Sequence, residues 1–236
     1  MVSSNVSDIM NSRFVANGNT DLRLGAAIYI IDSTVTVRNN TFQNNIAIDG
    51  GAVYFGCTNN RQNCDLNLIN DTFLENTALK KGGAIYYDYV RPTMNGIIYQ
   101  YNVAQYGKNI ASYPVKIRMY DNVDDSMSIR TVGSGITYKQ TLRFGLYDYD
   151  NQIMVLDSSN QIIISPIDTQ TSSIGGINNG LLYQGVATFD SISFIATPGS
   201  PSVAYTATSR AINSNIIQDV FGSAISENLI DVNFRY

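Results

Sequence analysis

Short runs of alternating apolar and polar residues recur along the chain and predict β-strands. In Thr34–Arg38 two valines alternate with polar neighbours, and Asp65–Ile69 repeats the pattern with leucines. A later run, Val115–Met119, alternates in the same way. Alternation with period two places every second side chain on one face of a strand, and no long stretch shows the period of an amphipathic helix. The pattern therefore predicts an all-β protein.

A longer repeat underlies the strands of the first half. The segment Phe42–Tyr54 reads F-x-x-N-x-A and then G-G-A-V-Y, and Phe73–Tyr86 reads F-x-x-N-x-A and then G-G-A-I-Y. Less well preserved copies begin at Phe14 and Tyr99, so the leading aromatic residues are 28, 31 and 26 residues apart. A period of this size with β-type residues predicts the stacked coils of a parallel β-helix.

The repeated residues suit a short, right-handed parallel β-helix of about four coils. Each Gly-Gly pair fits a corner where backbones approach closely and φ is positive. The phenylalanines are expected to stack in the core, and the asparagines to stack at a turn with their amides bonding along the axis. The residues that carry the repeat are Phe42, Asn45, Gly50, Gly51, Phe73, Asn76, Gly82 and Gly83.

These motifs resemble the repeat of the polymorphic outer-membrane proteins, which is marked by F-x-x-N and G-G-A-I. The chain carries them as FQNN with GGAV and as FLEN with GGAI. Similar repeats are familiar from chlamydial surface adhesins and from large predicted ciliate surface proteins. The resemblance covers roughly residues 10–112. It implies a β-helical protein of the cell surface or secreted, with a binding or structural role.

The pattern changes at Tyr113-Pro114, which separates a predicted β-helix domain of residues 1–112 from a second domain of residues 113–236. About seven short strands between turn-forming clusters predict an antiparallel β-sandwich there. Asp150-Asn151 suits a hairpin tip, and Gly175-Gly176 and Asn178–Gly180 suit turns. The expected strands cover residues 115–119, 142–146, 152–156, 161–165, 185–196, 202–208 and 229–236.

The run Gly185–Phe189, followed by a Pro198-Gly199 turn, resembles the late strands of immunoglobulin-like modules in extracellular proteins. The second half also resembles the module that follows β-helical repeats in large ciliate surface proteins, where a strand ends in a Phe-Arg pair, here Phe234-Arg235. The core cysteines and tryptophan of the immunoglobulin type are missing. The resemblance therefore implies a sandwich architecture and not true immunoglobulin topology.

Composition excludes several kinds of chemistry. The 236 residues include no histidine, which rules out Ser-His-Asp and Cys-His catalysis and histidine-held zinc or haem. The two cysteines cannot by themselves form a zinc knuckle. The formal charge is −4 and the basic residues are scattered, so nucleic acid is not an expected partner. We expect no cofactor.

Cysteine spacing and glycosylation sequons indicate a location outside the cytosol. Cys57 and Cys64 flank a polar segment whose length permits a disulfide, with two free thiols as the alternative. Sequons begin at Asn5, Asn39 and Asn70. The chain displays neither a signal peptide nor an apolar run of membrane length. We expect an extracellular or cell-surface segment that was processed or belongs to something longer.

Parallel β-helices also support polysaccharide-cleaving enzymes, in which paired carboxylates act without histidine. Asp49 and Asp71 correspond to Lys81 and Asn40 in the other clean copy, so the repeat brings no matched acid pair. Polar turn residues are the simpler interpretation, and we expect no catalytic residue. The carboxylates considered in the repeats are Asp49, Asp71, Glu75 and Asp88.

Two acidic clusters contain oxygen ligands of the kind that calcium prefers, but both also suit exposed loops, and we expect no metal site. They are Asp148, Asp150 and Asn151, and Asp121, Asp124 and Asp125. Tyrosines crowd the last repeats, where packing at the junction with the second domain is the favoured interpretation and an exposed patch for protein or sugar contacts is the alternative. These are Tyr86, Tyr87, Tyr89, Tyr99, Tyr101 and Tyr106.

The sequence predicts a non-catalytic extracellular or cell-surface module with a structural or interaction role, as a segment of a larger fibre, coat or adhesin-like protein. The alternative is a β-helix protein that binds or cleaves polysaccharide. A terminal coil cannot bury its outer stacking face alone, and no cap is evident before Phe14. We therefore expect the N-terminal coil to contact another subunit or further repeats of the same chain, with glycans as further candidate partners.

Overall fold

The computed structural model describes residues 7–58, 64–121, 127–222 and 228–235. The chain divides into two units, Met1–Tyr113 and Pro114–Tyr236. The first unit is a parallel β-solenoid of about four turns, and the second is a curled, mainly antiparallel sheet with one short helix among its described residues. The all-β class and the succession of a parallel β-helix and an antiparallel domain, both expected from the sequence, are confirmed.

Four parallel sheets run along the described part of the solenoid, and each coil adds a strand or a bridge to each sheet. The first sheet consists of β1, β4, β8 and β12, the second of β2, β5, β9 and β13, the third of β6 and β10, and the fourth of β3, β7, β11 and β14. In chain order these strands are β1 (Ser7–Met10), β2 (Arg13–Val15), β3 (Ile28–Ile31), β4 (Thr34–Arg38), β5 (Thr41–Gln43), β6 (Ile46–Asp49), β7 (Val53–Gly56), β8 (Asp65–Ile69), β9 (Thr72–Leu74), β10 (Thr77–Lys81), β11 (Ile85–Tyr87), β12 (Thr93–Asn95), β13 (Ile98–Gln100) and β14 (Ile110–Ala111).

Equivalent residues of successive coils lie in register, so identical side chains meet. Phe42 pairs with Phe14 on one side and Phe73 on the other, and Tyr99 follows Phe73. Their rings stack in the interior with centroid distances of 4.9, 4.7 and 5.6 Å. An aromatic ladder thus runs through all four coils.

The alternating strands of the first sheet bury their apolar residues in the interior of the solenoid. Val35 and Val37 of β4 and Leu66 and Leu68 of β8 are buried, while the intervening residues face outward. Each fully buried aliphatic side chain contributes about 1.5–3 kcal/mol relative to its exposed state. The period-two pattern of the sequence therefore defines the inside of the solenoid.

The Gly-Gly pairs turn the chain between the third and fourth sheets. Gly50 and Gly82 have φ values of +67° and +63°, which residues with a side chain rarely adopt. The second glycine meets a different requirement, because a Cβ on Gly51 would lie 2.2 Å from the carbonyl oxygen of Gly83. A Cβ on Gly83 would lie 2.1 Å from that of Lys108. Positive φ and close coil-to-coil approach together require the pair.

The second unit is built on an eight-stranded sheet, in the order β15-β17-β21-β20-β18-β23-β24-β16, with a separate antiparallel pair of β19 and β22. All its strand pairs in the described residues are antiparallel except β16 with β24, which is parallel. The elements are β15 (Pro114–Met119), β16 (Ser128–Gly133), β17 (Leu142–Asp148), β18 (Gln161–Pro166), β19 (Ser172–Gly176), β20 (Asn179–Tyr183), β21 (Val186–Phe189), β22 (Ile192–Ala196), β23 (Ser202–Thr208), α1 (Ser214–Phe221) and β24 (Leu229–Arg235).

Aromatic edges fill the interior of the second unit. Phe144 meets Phe189 edge-to-face at 5.8 Å, and Phe194 meets Tyr205 in the same manner at 5.0 Å. The buried Tyr205 hydroxyl donates to the carbonyl oxygen of Ile195 at 2.9 Å, so its polar end is satisfied. This core comes from residues on the inward face of strands far apart in the chain.

Several local expectations for the second unit were wrong. The helix α1 was not expected, although Asn213 caps its start by accepting from the Ile216 N–H and Gly222 ends it. The expected turns at Gly175-Gly176 and Asn178–Gly180 lie largely within β19 and β20, because cross-strand pairing outweighs the turn preference of glycine and asparagine. The hairpin at Asp150-Asn151 exists, but only a bridge follows where a strand of residues 152–156 was expected.

Candidate functional site

An asparagine ladder follows the corner between the second and third sheets. Asn17, Asn45, Asn76 and Asn102 occupy equivalent places in the four coils. Each of the first three donates its backbone N–H and its Nδ2 to Oδ1 of the next, at 2.8–3.1 Å. The last three are buried. Their amides satisfy backbone groups of a corner that no sheet pairing reaches.

A second ladder follows the corner between the first and second sheets. Asn40 Oδ1 accepts from the Ser12 N–H at 2.9 Å, and Asp71 Oδ1 accepts from the Asn40 N–H at 2.8 Å and from Asn40 Nδ2 at 3.0 Å. The Ile69 N–H donates to Asp71 Oδ2 at 3.2 Å. Burial raises the pKa of the Asp71 carboxyl, and the hydrogen bonds from Asn40 oppose this shift. Asp71 is the acceptor that ends this ladder.

The four carboxylates considered for catalysis lie at four different corners of the solenoid. Asp71 lies between the first and second sheets, and Glu75 occupies an exposed corner between the second and third with a φ of +55°. Asp49 ends β6 beside the third corner, and burial raises its pKa while Lys81 opposes the shift. Asp88 follows β11 at the remaining corner, where it is buried and accepts from the Cys57 N–H. The structure does not bring these groups together as a pair.

The expected disulfide is confirmed. Cys57 and Cys64 are joined, with their Cα atoms 6.0 Å apart, and both side chains are buried. Thr58 donates its N–H and its hydroxyl to the two carboxylate oxygens of Asp32, at 2.6 and 2.7 Å. The disulfide therefore closes the segment between β7 and β8, and Thr58, at the start of that segment, is hydrogen-bonded to Asp32 of the preceding coil.

Two of the three sequons occupy the same corner of adjacent coils. Asn39 and Asn70 are exposed and both have positive φ, of +55° and +53°. They lie at the corner between the first and second sheets, one coil apart. Asn5 lies outside the described residues. Glycosylation at these positions stays a prediction.

The tyrosines of the last repeats do not form the exposed patch considered from the sequence. Tyr86 and Tyr106 are buried, whereas Tyr101 is exposed. Tyr86 instead continues a stack on the outer side of the fourth sheet, with Tyr54 5.8 Å away and Tyr29 a further 5.3 Å from Tyr54. Burial raises the pKa of the Tyr54 and Tyr86 hydroxyls well above the usual range. The burial of these side chains agrees with the packing interpretation, and the exposed patch is not formed, since strand alternation alone does not reveal what covers an outer face.

In the described part of the chain, the strands of the N-terminal coil have unpaired outer edges. Strands β1, β2 and β3 each pair on one side only in the described part of the chain. Tyr29 and Val15 are exposed at this end. No described residue donates to Asn17 Oδ1, although Oδ1 of every later rung accepts two hydrogen bonds. At the opposite end the ladder is closed, because Asn102 Nδ2 donates to Asn109 Oδ1 at 3.2 Å.

The acidic clusters of the second unit are engaged by protein groups. Asp148 accepts from the Gln152 N–H at 2.8 Å and from Gln152 Nε2 at 3.0 Å. Asp121 is paired with Arg143. Asp124 and Asp125 lie outside the described residues. Across residues 7–58, 64–121, 127–222 and 228–235, no three His, Cys, Asp or Glu side chains converge as a metal site would require.

Grooves on the surface of the second unit include two whose lining residues come from separate strands. The larger, about 670 Å³, lies between β16 and residues 136–143. In it Thr131 has a φ of +65°, at a bulge where β16 pairs with β24. The smaller, about 310 Å³, lies on the outer face of the sheet and is lined by Tyr120, Arg143, Ile153, Val155, Tyr183, Gln184, Val186 and Thr188. No local sequence signal indicates either groove, because their residues come from separate strands.

Fold and corners together define a protein with a parallel β-solenoid of F-x-x-N and G-G repeats, stabilised by stacked asparagines and aromatic rings. Residues 72–88 match the Chlamydia polymorphic membrane protein repeat. This match suggests a protein associated with a cell surface or an outer membrane. Searches of curated proteins and of solved structures returned no significant match. None of the described helical segments is long and apolar enough to cross a membrane.

Proposed function

We propose that the chain is a non-catalytic structural and interaction module of an extracellular or cell-surface protein, a segment of a larger fibre, coat or adhesin-like assembly. The observation that carries the proposal is the ladder of Asn45, Asn76 and Asn102, in which the motif side chains are fully used in coil-to-coil bonding. The amides of these residues hold neighbouring coils together and are not available for another task. The Cys57–Cys64 disulfide supports an oxidising compartment.

The absence of catalysis is part of the proposal. What supports it is the lack of histidine and the placement of Asp49, Asp71, Glu75 and Asp88 at separate corners. The test is an assay of the pure chain on neutral and acidic polysaccharides. We expect no product release. Product formation that is abolished by Asp49→Asn or Asp71→Asn would contradict the proposal.

The location is tested by glycosylation and surface labelling. The exposed sequons at Asn39 and Asn70 support a passage through the secretory pathway. We expect the protein from its native source to react with a membrane-impermeant label and to lose mass on enzymatic deglycosylation. Variants Asn39→Gln and Asn70→Gln should each remove part of that mass change. Unlabelled, unglycosylated protein would place the chain elsewhere.

The proposal includes a docking role for the N-terminal coil, with another subunit or with further repeats of the same chain. At its side-chain oxygens the ladder has a direction, because Oδ1 of each later asparagine accepts from the coil before. The Nδ2 of each later rung also donates to a carbonyl oxygen of the coil before. The unfilled acceptor, Asn17 Oδ1, therefore favours a preceding coil whose asparagine donates. A preceding coil of the same F-x-x-N type in the same direction would donate to Asn17 Oδ1 and offer a carbonyl oxygen to the second Nδ2 hydrogen of Asn17, as Phe14 does for Asn45, so it is the preferred partner.

The docking role is tested by supplying such a coil. By register, Asp8 corresponds to Thr36, Asn67 and Thr93, so a copy of residues 65–91 placed directly before Ser7 continues the solenoid in phase. We expect the extended chain to unfold at a temperature several degrees higher, because stacked repeats add interface energy. An unchanged midpoint would show that the edge does not accept a coil.

The finer description of the second unit as immunoglobulin-like also belongs to the proposal. Its support is the G-x-A-x-F run at Gly185–Phe189, which forms the hairpin strand β21 after a tight turn. The alternative function, polysaccharide binding by the β-helix, gains no support from the solenoid, whose tyrosine stack is largely covered.

A further inference from the structure

The smaller groove of the second unit combines aromatic walls with a polar floor. Tyr120 follows β15 and Tyr183 ends β20, and these strands are the outer members of the group β15-β17-β21-β20. Between them, Arg143 of β17 pairs directly with Thr188 of β21. The two tyrosines therefore lie on either side of a strip of hydrogen-bonding side chains on one face of the sheet.

Both aromatic side chains that border this groove are exposed. Tyr183 is 73% exposed and Tyr120 is 43% exposed, although both belong to a regular sheet face. Val186 of β21 and the residues Ile153 and Val155, which follow the turn at Asp150-Asn151, add apolar surface to the same groove. Clustered apolar surface rimmed by polar groups is typical of a binding site rather than of scattered surface residues.

The polar floor is held in place before any ligand arrives. Arg143 Nε donates to Asp121 Oδ2 at 2.9 Å, and its Nη2 donates to the other carboxylate oxygen. The guanidinium also lies over the Tyr120 ring, 5.3 Å from its centroid. Two of the five guanidinium hydrogens are thereby used, and the remainder are available to acceptors. Because Asp121 balances the charge, the floor presents donors without a net attraction for anions.

The backbone that carries Tyr183 is also held in place. Gln184 and Gly185 form a two-residue hairpin turn with φ values of +50° and +80°, the signs of a type I′ turn. The Gln184 N–H donates to Ser158 Oγ at 3.1 Å, and the Gly185 N–H donates to the Asp157 carbonyl at 2.8 Å. The backbone that carries Tyr183 would therefore lose little conformational entropy when a ligand is bound.

We propose that this groove binds a neutral saccharide. A sugar ring has an apolar C–H face that packs on a tyrosine ring and a rim of hydroxyls that accept from Arg143 and exchange hydrogen bonds with Gln184 and Thr188. The volume of about 310 Å³ suits one or two sugar rings, at the lower end of small-molecule sites. The inference is independent of the solenoid's role, since it concerns a different unit of the chain.

The experiment is a titration of the isotope-labelled full chain, followed by amide and side-chain NMR, with a panel of neutral disaccharides. The panel contains cellobiose, laminaribiose, mannobiose and N,N′-diacetylchitobiose, and digalacturonic acid is the charged comparison. We expect at least one neutral disaccharide to bind with a millimolar Kd and to shift resonances of Tyr120, Arg143, Tyr183 and Thr188. The acidic disaccharide should bind no more tightly.

Variants assign the binding to the groove. Tyr183→Ala and Tyr120→Ala should each weaken binding about tenfold, and Arg143→Lys should weaken it because lysine cannot hold both Asp121 and a sugar hydroxyl. The matched control is Leu181→Ala, which removes an equally exposed side chain from β20 outside the groove and should leave the Kd unchanged. No shift with any panel member, binding that survives Tyr183→Ala, or a preference for the acid that vanishes with salt would overturn the proposal.

Discussion

Asn45 donates both its backbone N–H and its side-chain Nδ2 to a single atom, Oδ1 of Asn76, at 3.1 and 2.8 Å. The same Nδ2 also donates to the Phe14 carbonyl at 3.0 Å, one coil in the other direction. Asn45 Oδ1 in turn accepts two hydrogen bonds from Asn17. One buried side chain thereby connects three coils, and a shorter residue could not form these hydrogen bonds.

Removing this amide should be among the most damaging changes in the solenoid. In Asn45→Ala the two donors of Asn17 lose their acceptor, and Asn76 Oδ1 loses one of its donors. Leaving buried polar groups unsatisfied costs about 1–3 kcal/mol for each group. We expect the free energy of unfolding to fall by about 2–4 kcal/mol, measured by urea titration of the circular dichroism.

The preceding residue supplies the matched control. Asn44 is exposed, with a φ of +55°, and the equivalent residue of the first coil is Ala16, with a φ of +54°. Alanine therefore already occupies this corner position. Asn44→Ala should cost at most about 1–2 kcal/mol, the usual cost of a side chain other than asparagine at a left-handed position. Similar losses for Asn44→Ala and Asn45→Ala would show that the ladder bonds contribute little.

Substitutions in the aromatic ladder should destabilise the solenoid more in its middle than at its N-terminal end. Phe42 is fully buried between the rings of Phe14 and Phe73, at 4.9 and 4.7 Å. Phe42→Ala should destabilise the solenoid by about 3–5 kcal/mol, the range for a large cavity in a core. Phe14 is half-buried and has one ring neighbour, so Phe14→Ala should cost clearly less in the same denaturation experiment. A larger effect at Phe14 would contradict the stacking order.

The solenoid could be predicted in detail because one register repeats. Once Phe42 and Phe73 are aligned, the other motif residues of the two coils are aligned as well. The need for glycine at position 51 then follows from the close approach of neighbouring coils. The role of Asp71 was missed, although its counterpart Asn40 was a usable signal, since an asparagine at the same place indicates a shared hydrogen-bonding task. Burial could not be read from alternation alone, as the covered Tyr86 illustrates.

The second unit was predicted less well because its contacts are distant in sequence. Strand β16 pairs with β24, about a hundred residues later, and no local pattern announces that partner. The groove depends on Tyr120 and Tyr183 reaching one face from different strands. By contrast, α1 left a local signature in Asn213 and Gly222 at its ends, and a search for capping residues would have found it.

The disulfide predicts a measurable dependence on redox state. The closed segment from Cys57 to Cys64 is short, and chain-entropy reasoning assigns such a loop about 2–3 kcal/mol. The double variant Cys57→Ser with Cys64→Ser should lose about this much stability, and its midpoint should not respond to reductant. Thiol labelling of the unreduced native protein under denaturing conditions should detect no free thiol. Two reactive thiols would contradict both the bond and the inferred compartment.

Because Asp71 is buried, we expect its ionisation to lower the stability of the fold, and we expect asparagine at this position to remove that loss. Its pKa in the folded chain is raised above the usual 3.8 by burial, against the hydrogen bonds from Asn40. The protonated form is therefore favoured by folding, so this contribution to stability is complete below the unfolded pKa and is lost as the pH rises through the folded pKa. Asparagine fits the position, because Asn40 occupies it in the preceding coil and donates its Nδ2 to the Arg38 carbonyl at 3.0 Å.

Asp71→Asn should therefore stabilise the solenoid at pH 7, by an amount on the order of 1 kcal/mol for each unit by which the pKa is raised. The gain should shrink as the pH falls and disappear below about pH 4, where both side chains are neutral. Unfolding midpoints of the two proteins, compared between pH 3 and pH 8, measure this difference directly. Asp65→Asn, on the exposed outer face of β8, is the control substitution. A gain that does not vary with pH would show that the titration of Asp71 is not its cause. A loss at pH 7 would mean that the ladder needs the charged carboxylate and that Asp71 is stabilised as an anion by Asn40 and Ile69.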